Sequence, residues 1–134
     1  MKHFTLDDHM TSVFGGAFYP TGFAMVMFPD ADAASRVGHQ LIESGVSGDD
    51  IYLIPPATVL SEIVPTVNEA SSPLPSAGTD GATVRAYEKL ARAGHTALLV
   101  RTKDDAAAER LMEKARPANF SIAQRYRRLV IEDL

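Results

Sequence analysis

A chain of 134 residues, 46% hydrophobic and 22% charged, has the size and composition of one ordinary globular domain with a substantial core. It has no cysteine, which excludes disulfides, thiolate catalysis and cysteine-based zinc sites, and its apolar runs are too short to span a bilayer. The net charge of −4 is unevenly divided: residues 1–80 carry two basic and ten acidic side chains (−8), residues 81–134 eleven basic and seven acidic (+4). Such a division fits an anionic partner for the basic half, attraction between halves within or between subunits, or plain intermixing on one surface. The opening residues Met1 to Asp8 lack the basic-then-apolar order of a secretory signal, so a cytoplasmic location is expected.

In chain order, residues 1–22 read as irregular: Phe14-Gly15-Gly16-Ala17-Phe18-Tyr19-Pro20 mixes rings with turn formers and predicts a loop that packs its aromatics elsewhere. Phe23 to Phe28 is wholly apolar and suits a central strand. Asp30 or Asp32 caps the helix that follows, whose inner face is Ala34, Val37, Leu41 and Ser44 and which Gly45 ends. A short strand, Ile51 to Ile54, stops at Pro55-Pro56. Thr58 to Val64 offers a helical turn or two, and 66–80 reads as a mobile loop.

A second helix starts at Thr79-Asp80, turns Val84, Tyr87, Leu90 and Ala91 inward, and ends at Gly94. Thr96 to Val100 is a second apolar strand. Asp104 caps a third helix that Pro117 stops. A long strand is predicted over 121–131, its Arg125-Tyr126-Arg127-Arg128 stretch marking a sheet edge where charge discourages stray pairing.

The run from Ala24 to Val37 is echoed at constant offset from Leu98 to Leu111, with Val26/Val100, Asp30/Asp104, Ala33/Ala107, Ala34/Ala108 and Arg36/Arg110 identical. Each copy is a strand, a capping Asp and a helix. The predicted fold is therefore a single α+β domain over 1–134, a ferredoxin-like split β-α-β sandwich with helices on one face and a helix inserted between its second and third strands. The apolar strands take the centre, 51–54 and 121–131 the edges. A doubly wound α/β sheet, with helix 80–93 as a crossover, is the alternative.

The element order, together with Phe23 to Asp32, Gly94-His95-Thr96-Ala97-Leu98-Leu99-Val100 and the ending Tyr126-Arg127-Arg128-Leu129-Val130-Ile131-Glu132-Asp133-Leu134, resembles bacterial general-stress or heat-induced-stress proteins over roughly residues 22–134. The resemblance implies a small cysteine-poor domain of ferredoxin-like build. It assigns no catalytic residue. The aromatic N-terminal segment and the proline-rich stretch 55–75 depart from the simplest members of that family.

Candidate chemistry is sparse. His3 and His9 flank Asp7-Asp8 in a segment without a scaffold, so they read as a solvated terminus and no metal site is expected. His39 points away from the core. His95, held at a strand entrance, is the histidine best placed for chemistry, with Tyr126 as its polar companion if the protein is an enzyme. Ser12, Ser47 and Ser61 sit in no nucleophile elbow, and Gly15-Gly16 lacks the lysine and helix start of a phosphate loop. Arg125, Tyr126, Arg127 and Arg128 are the best candidates for binding a ligand or partner. Phe18 and Tyr19 join them as residues of an apolar pocket or a dimer interface.

The expected function is therefore non-enzymatic: a stress-related or regulatory domain that forms a homodimer and binds a protein or small ligand, with no cofactor. A dimeric ferredoxin-like enzyme with a pocket between sheet and helices is the first alternative. The second is nucleic-acid binding, with Tyr126 stacking a base between arginines, a reading the acidic net charge disfavours.

Overall fold

The computed structural model describes residues 1–12, 15–67 and 79–134. Among these residues, six strands form one mixed sheet: β1 (Lys2–His3), β2 (Phe23–Phe28), β3 (Ile51–Ile54), β4 (Thr96–Arg101), β5 (Ile122–Tyr126) and β6 (Ile131–Asp133), in the order β1-β3-β4-β2-β5-β6. β1 runs parallel to β3; every other neighbouring pair is antiparallel. The helices are α1 (Ala31–Glu43), α2 (Pro56–Thr58), α3 (Thr79–Arg92) and α4 (Asp105–Ala115). α2 continues into a π-helical turn, Val59–Ile63, and a 3-10 turn, Val64–Thr66.

The apolar strands take the centre because both of their faces are covered. Every residue of β2 is buried, paired with β4 from Phe23↔Arg101 to Phe28↔Thr96 and with β5 from Ala24↔Arg125 to Met27↔Ile122. Ala24, Val26 and Phe28 pack with Leu98, Val100 and Ile51 against Val37 and Leu41 of α1 and Leu111 and Met112 of α4. Phe23, Met25 and Met27 turn the other way, with Ala97, Leu99 and Ile54, onto Val84, Tyr87 and Ala91 of α3 and onto Val59 and Ile63. Two covered faces explain why these strands show no polar alternation.

Two expectations are corrected here. The helices do not share one face: α1 and α4 lie on one, α3 and the 56–66 segment on the other, because a sheet apolar on both sides needs two covers. A doubly wound arrangement is excluded, since α3 joins β3 to an adjacent antiparallel strand. The echoed units are the two neighbouring centre strands, β2 and β4, each feeding a helix on the same face. Asp30 Oδ1 accepts from the Asp32 amide at 2.9 Å, and Asp104 Oδ1 from the Ala107 amide at 2.8 Å. Gly45 and Gly94 end α1 and α3 with φ of 107° and 92°, a conformation that favours glycine. Ser44 caps the C-terminus of α1, exposed rather than inward, its hydroxyl donating to the Leu41 carbonyl at 2.7 Å.

The long strand predicted over 121–131 is a hairpin. β5 ends at Tyr126, residues 127–130 turn, with the Arg127 amide donating to the Val130 carbonyl at 2.9 Å, and β6 pairs back from Tyr126↔Ile131 to Gln124↔Asp133. The reversal brings Ile131 onto the same apolar cluster as Ile122 and Tyr126. β6 thus lies outside β5, and β1 outside β3, so neither expected edge strand is the outermost. The N-terminal segment supplies β1 and buries Phe4, Met10 and Phe18. Most of the loop expected at 66–80 falls on residues 68–78, which lie outside the described residues; Val64–Thr66 and Thr79–Arg92 flank them as helical turns. No helix among the described residues is long and apolar enough to cross a membrane.

One defect remains in this core. The Thr102 hydroxyl, just past β4, is buried (3% exposed) without a hydrogen-bond partner among the described residues. Thr102→Val keeps the shape and removes the unsatisfied group, so it is expected to raise stability by about 1 kcal/mol, measured as a higher urea midpoint at unchanged slope.

Candidate interaction surface

The β5–β6 hairpin carries most of the predicted site residues and separates them into two environments. Tyr126 points into the core: its ring is 1% exposed and meets Phe18 and Tyr19 edge-to-face at 5.9 and 5.0 Å between centroids. Its hydroxyl shares a 2.8 Å hydrogen bond with that of Tyr87 from α3. Burial pushes both phenols well above their usual pKa, and Tyr19 is raised by burial and by Asp80. A ring packed this way has no free face for a base, so the stacking role considered for Tyr126 has no geometry to support it. Phe18 is likewise fully buried and is a core residue, in edge-to-face contact with Phe4, Tyr87 and Tyr126. Phe14, the other ring of this segment, lies outside the described residues.

The arginines face the opposite side. The Arg125 side chain is 9% exposed and donates to Asp105 Oδ1 at 2.7 Å, with Glu132 Oε1 at 3.8 Å. Arg127 lies 3.6 Å from Glu132 and 3.9 Å from Asp105. The Arg125 hydrogen bond, then the charges of Arg125 and Arg127, hold the Asp105 carboxyl below its usual range. Two of the three arginines are thus engaged by carboxylates of the same chain. Arg128 is exposed and makes no ion pair among the described residues.

At the tip between them stand Leu129, 93% exposed, and Val130, 56% exposed. The turn that presents them is fixed from behind, Tyr19 Oη donating to the Arg127 carbonyl at 2.6 Å and the Gly22 amide to the Tyr126 carbonyl at 2.9 Å. The sequence pattern hid these residues, because a continuous strand would have alternated them into a sheet. The available signal was the doublet Arg127-Arg128 followed by the doublet Leu129-Val130, which breaks period-2 alternation.

His95 and Tyr126 are not brought together. His95 is half-buried at the entrance to β4, its Nδ1 2.9 Å from Ser121 Oγ, and Ser121 is exposed. No group of three or more metal-ligating side chains converges among the described residues. On the helical face of α1 and α4, one cleft, about 590 Å³, balances Arg36 and Lys114 against Glu43 and Glu113. A second, about 290 Å³, holds the Arg125 network, where Arg116, Arg125 and Arg127 meet Asp105, Glu109, Glu132 and Asp133. A third, about 360 Å³, lies where α1 ends beside the junction of β4 and α4. No family model, curated protein or solved structure matches the chain.

Proposed function

We propose that this chain is a non-catalytic module of the general-stress type that works by self-association, a second copy docking on the β5–β6 hairpin. The observation that carries the reading is the apolar tip, Leu129 and Val130, held exposed beside the short outer strand β6. A fixed turn with two solvated aliphatic side chains next to an open sheet edge costs solubility unless something covers it.

Charge supports a second copy as the occupant. Among the described residues, Arg101 Nε to Asp50 Oδ1 at 3.3 Å is the one ion pair that joins the acidic half of the chain to the basic half. Among the described residues the −8 and +4 halves are thus joined by one ion pair, and Arg128, exposed beside the tip, makes none. In a closed, two-fold assembly each copy's tip packs on the other copy in the same way, so each Arg128 meets an acidic surface of its partner. The core order β3-β4-β2-β5, antiparallel throughout with α1 and α4 on one face, supports a ferredoxin-like build, with β1, β6 and α3 added around it.

Leu129→Asp is the test. A two-fold interface loses the leucine from both copies, ~1.5–3 kcal/mol each, so the dissociation constant rises ~10²–10⁴-fold. Light scattering after size exclusion then gives a dimer for the parent chain and a monomer for the variant at the same concentration. An unchanged mass in the variant contradicts the reading.

A further inference from the structure

The third cleft has an electrostatic character the other two lack. Its walls carry Arg101, Lys103 and Arg110 against a single acid, Asp50, with the hydroxyls of Ser44 and Ser47 at its rim and Leu41, Val46, Val100 and Ala107 as apolar lining. Arg101 is held in place, its guanidinium 4.8 Å from the Phe23 ring centroid and ion-paired with Asp50. Lys103 and Arg110 are exposed and make no ion pair among the described residues. Neither has an evident structural use. Lys103 precedes the N-cap Asp104, where the positive end of α4 makes a cation unfavourable. The result is a concentrated surplus of positive charge on a chain whose net charge is −4.

We infer that this cleft is an anion site, taking a small molecule that carries a phosphate dianion. Lys103 and Arg110 match the dianion's charge, and Arg101 adds a planar donor. The Ser47 hydroxyl, whose oxygen accepts from the Asp49 amide at 3.2 Å, supplies a neutral hydrogen bond, whereas the Ser44 proton is given to the Leu41 carbonyl. A volume of about 360 Å³ admits a small phosphorylated molecule but not a folded partner. The cleft lies at the same end of the sheet as the hairpin, one strand away, since Gly22 accepts from the Thr102 amide at 2.8 Å and donates to the Tyr126 carbonyl at 2.9 Å. Its lining shares no residue with the β5–β6 hairpin, and the site does not depend on self-association.

The test is a titration of ¹⁵N-labelled protein with inorganic phosphate and, separately, with glycerol 3-phosphate, ionic strength held constant with sodium chloride. Saturable shifts confined to residues 44–50 and 100–110 are expected. The Lys103→Gln/Arg110→Gln double variant weakens binding at least roughly tenfold per removed cation, whereas Arg128→Gln leaves it unchanged. Tighter binding of the ester identifies an organic phosphate as the ligand; equal binding identifies free phosphate. Repeating the titration on Leu129→Asp separates the two readings, because the shifts persist in a monomer. Shifts no larger than chloride gives, shifts located elsewhere, or an unaffected double variant overturn the inference.

Discussion

Phe18→Ala is expected to cost about 3–5 kcal/mol, a large share of the roughly 5–15 kcal/mol that stabilises a domain of this size. Phe18 is fully buried where three layers meet. Its ring stands edge-to-face on Phe4 at 6.1 Å, on Tyr126 at 5.9 Å and on Tyr87 at 6.4 Å, contacting the N-terminal segment, the last strands and α3 at once. Its amide also donates to Thr66 Oγ1 at 2.9 Å, tying the 56–66 turns to the same point. No single neighbour can collapse into the void without abandoning another, so the cavity term stays large. Urea unfolding gives the magnitude, and loss of near-ultraviolet tyrosine dichroism below the transition shows whether the Tyr87–Tyr126 pair loosens with it. Phe18→Leu, which refills most of the volume, retains most of the stability. A loss under about 1 kcal/mol for Phe18→Ala would mean the ring lines a surface pocket rather than the core.

Alkali is expected to unfold the protein steeply above pH 10. Tyr87 and Tyr126 are buried and hydrogen-bonded to each other, and burial raises both pKa values well above the phenol's ordinary 10.0. Below that pH both hydroxyls keep their protons in the folded and unfolded chain alike, and the pair contributes fully. Above it the unfolded chain releases two protons that the folded chain retains, so stability falls with rising pH by up to about 1.4 kcal/mol per unit for each tyrosine. Two groups together give about 2.7 kcal/mol per pH unit. Tyr126→Phe removes one of them and is expected to halve this tyrosine contribution to the slope between pH 10 and 12. Other alkaline groups are common to parent and variant, so the difference between the two urea-midpoint profiles isolates the phenol. Equal slopes would show that Tyr126 ionises in the folded protein.

Much of the fold was legible because local signals and burial agreed. The wholly apolar runs at 23–28 and 96–100 had to be central, and Asp30, Asp104, Gly45 and Gly94 marked helix ends by chemistry that needs no tertiary context. Errors arose where tertiary context decided. The doublets Arg127-Arg128 and Leu129-Val130 interrupt the alternation after Tyr126, but a turn without glycine or proline carries no ordinary turn signal, so a long strand was expected where the chain forms a hairpin. The covering of both sheet faces was implicit in strands without polar alternation, but which helix lies on which face depends on the connection through residues 56–66. The aromatic segment 14–20 looked like a pocket or an interface; Phe18 is instead core, because the face of the sheet away from α1 and α4 has too little helix to bury it. The candidate site was legible only in its arginines. That Asp105 and Glu132 neutralise two of them, and that Leu129 is left outside, depends on a chain reversal the pattern did not announce.

The claim at the centre of this account, that copies of the chain associate through the hairpin tip, is tested most directly by sedimentation equilibrium of the unmodified protein over a concentration series. The mass is predicted to rise from 14.5 kDa toward twice that value and to stop there, as a closed two-fold pair requires. A mass of 14.5 kDa at every concentration, or one that climbs without limit, would contradict it.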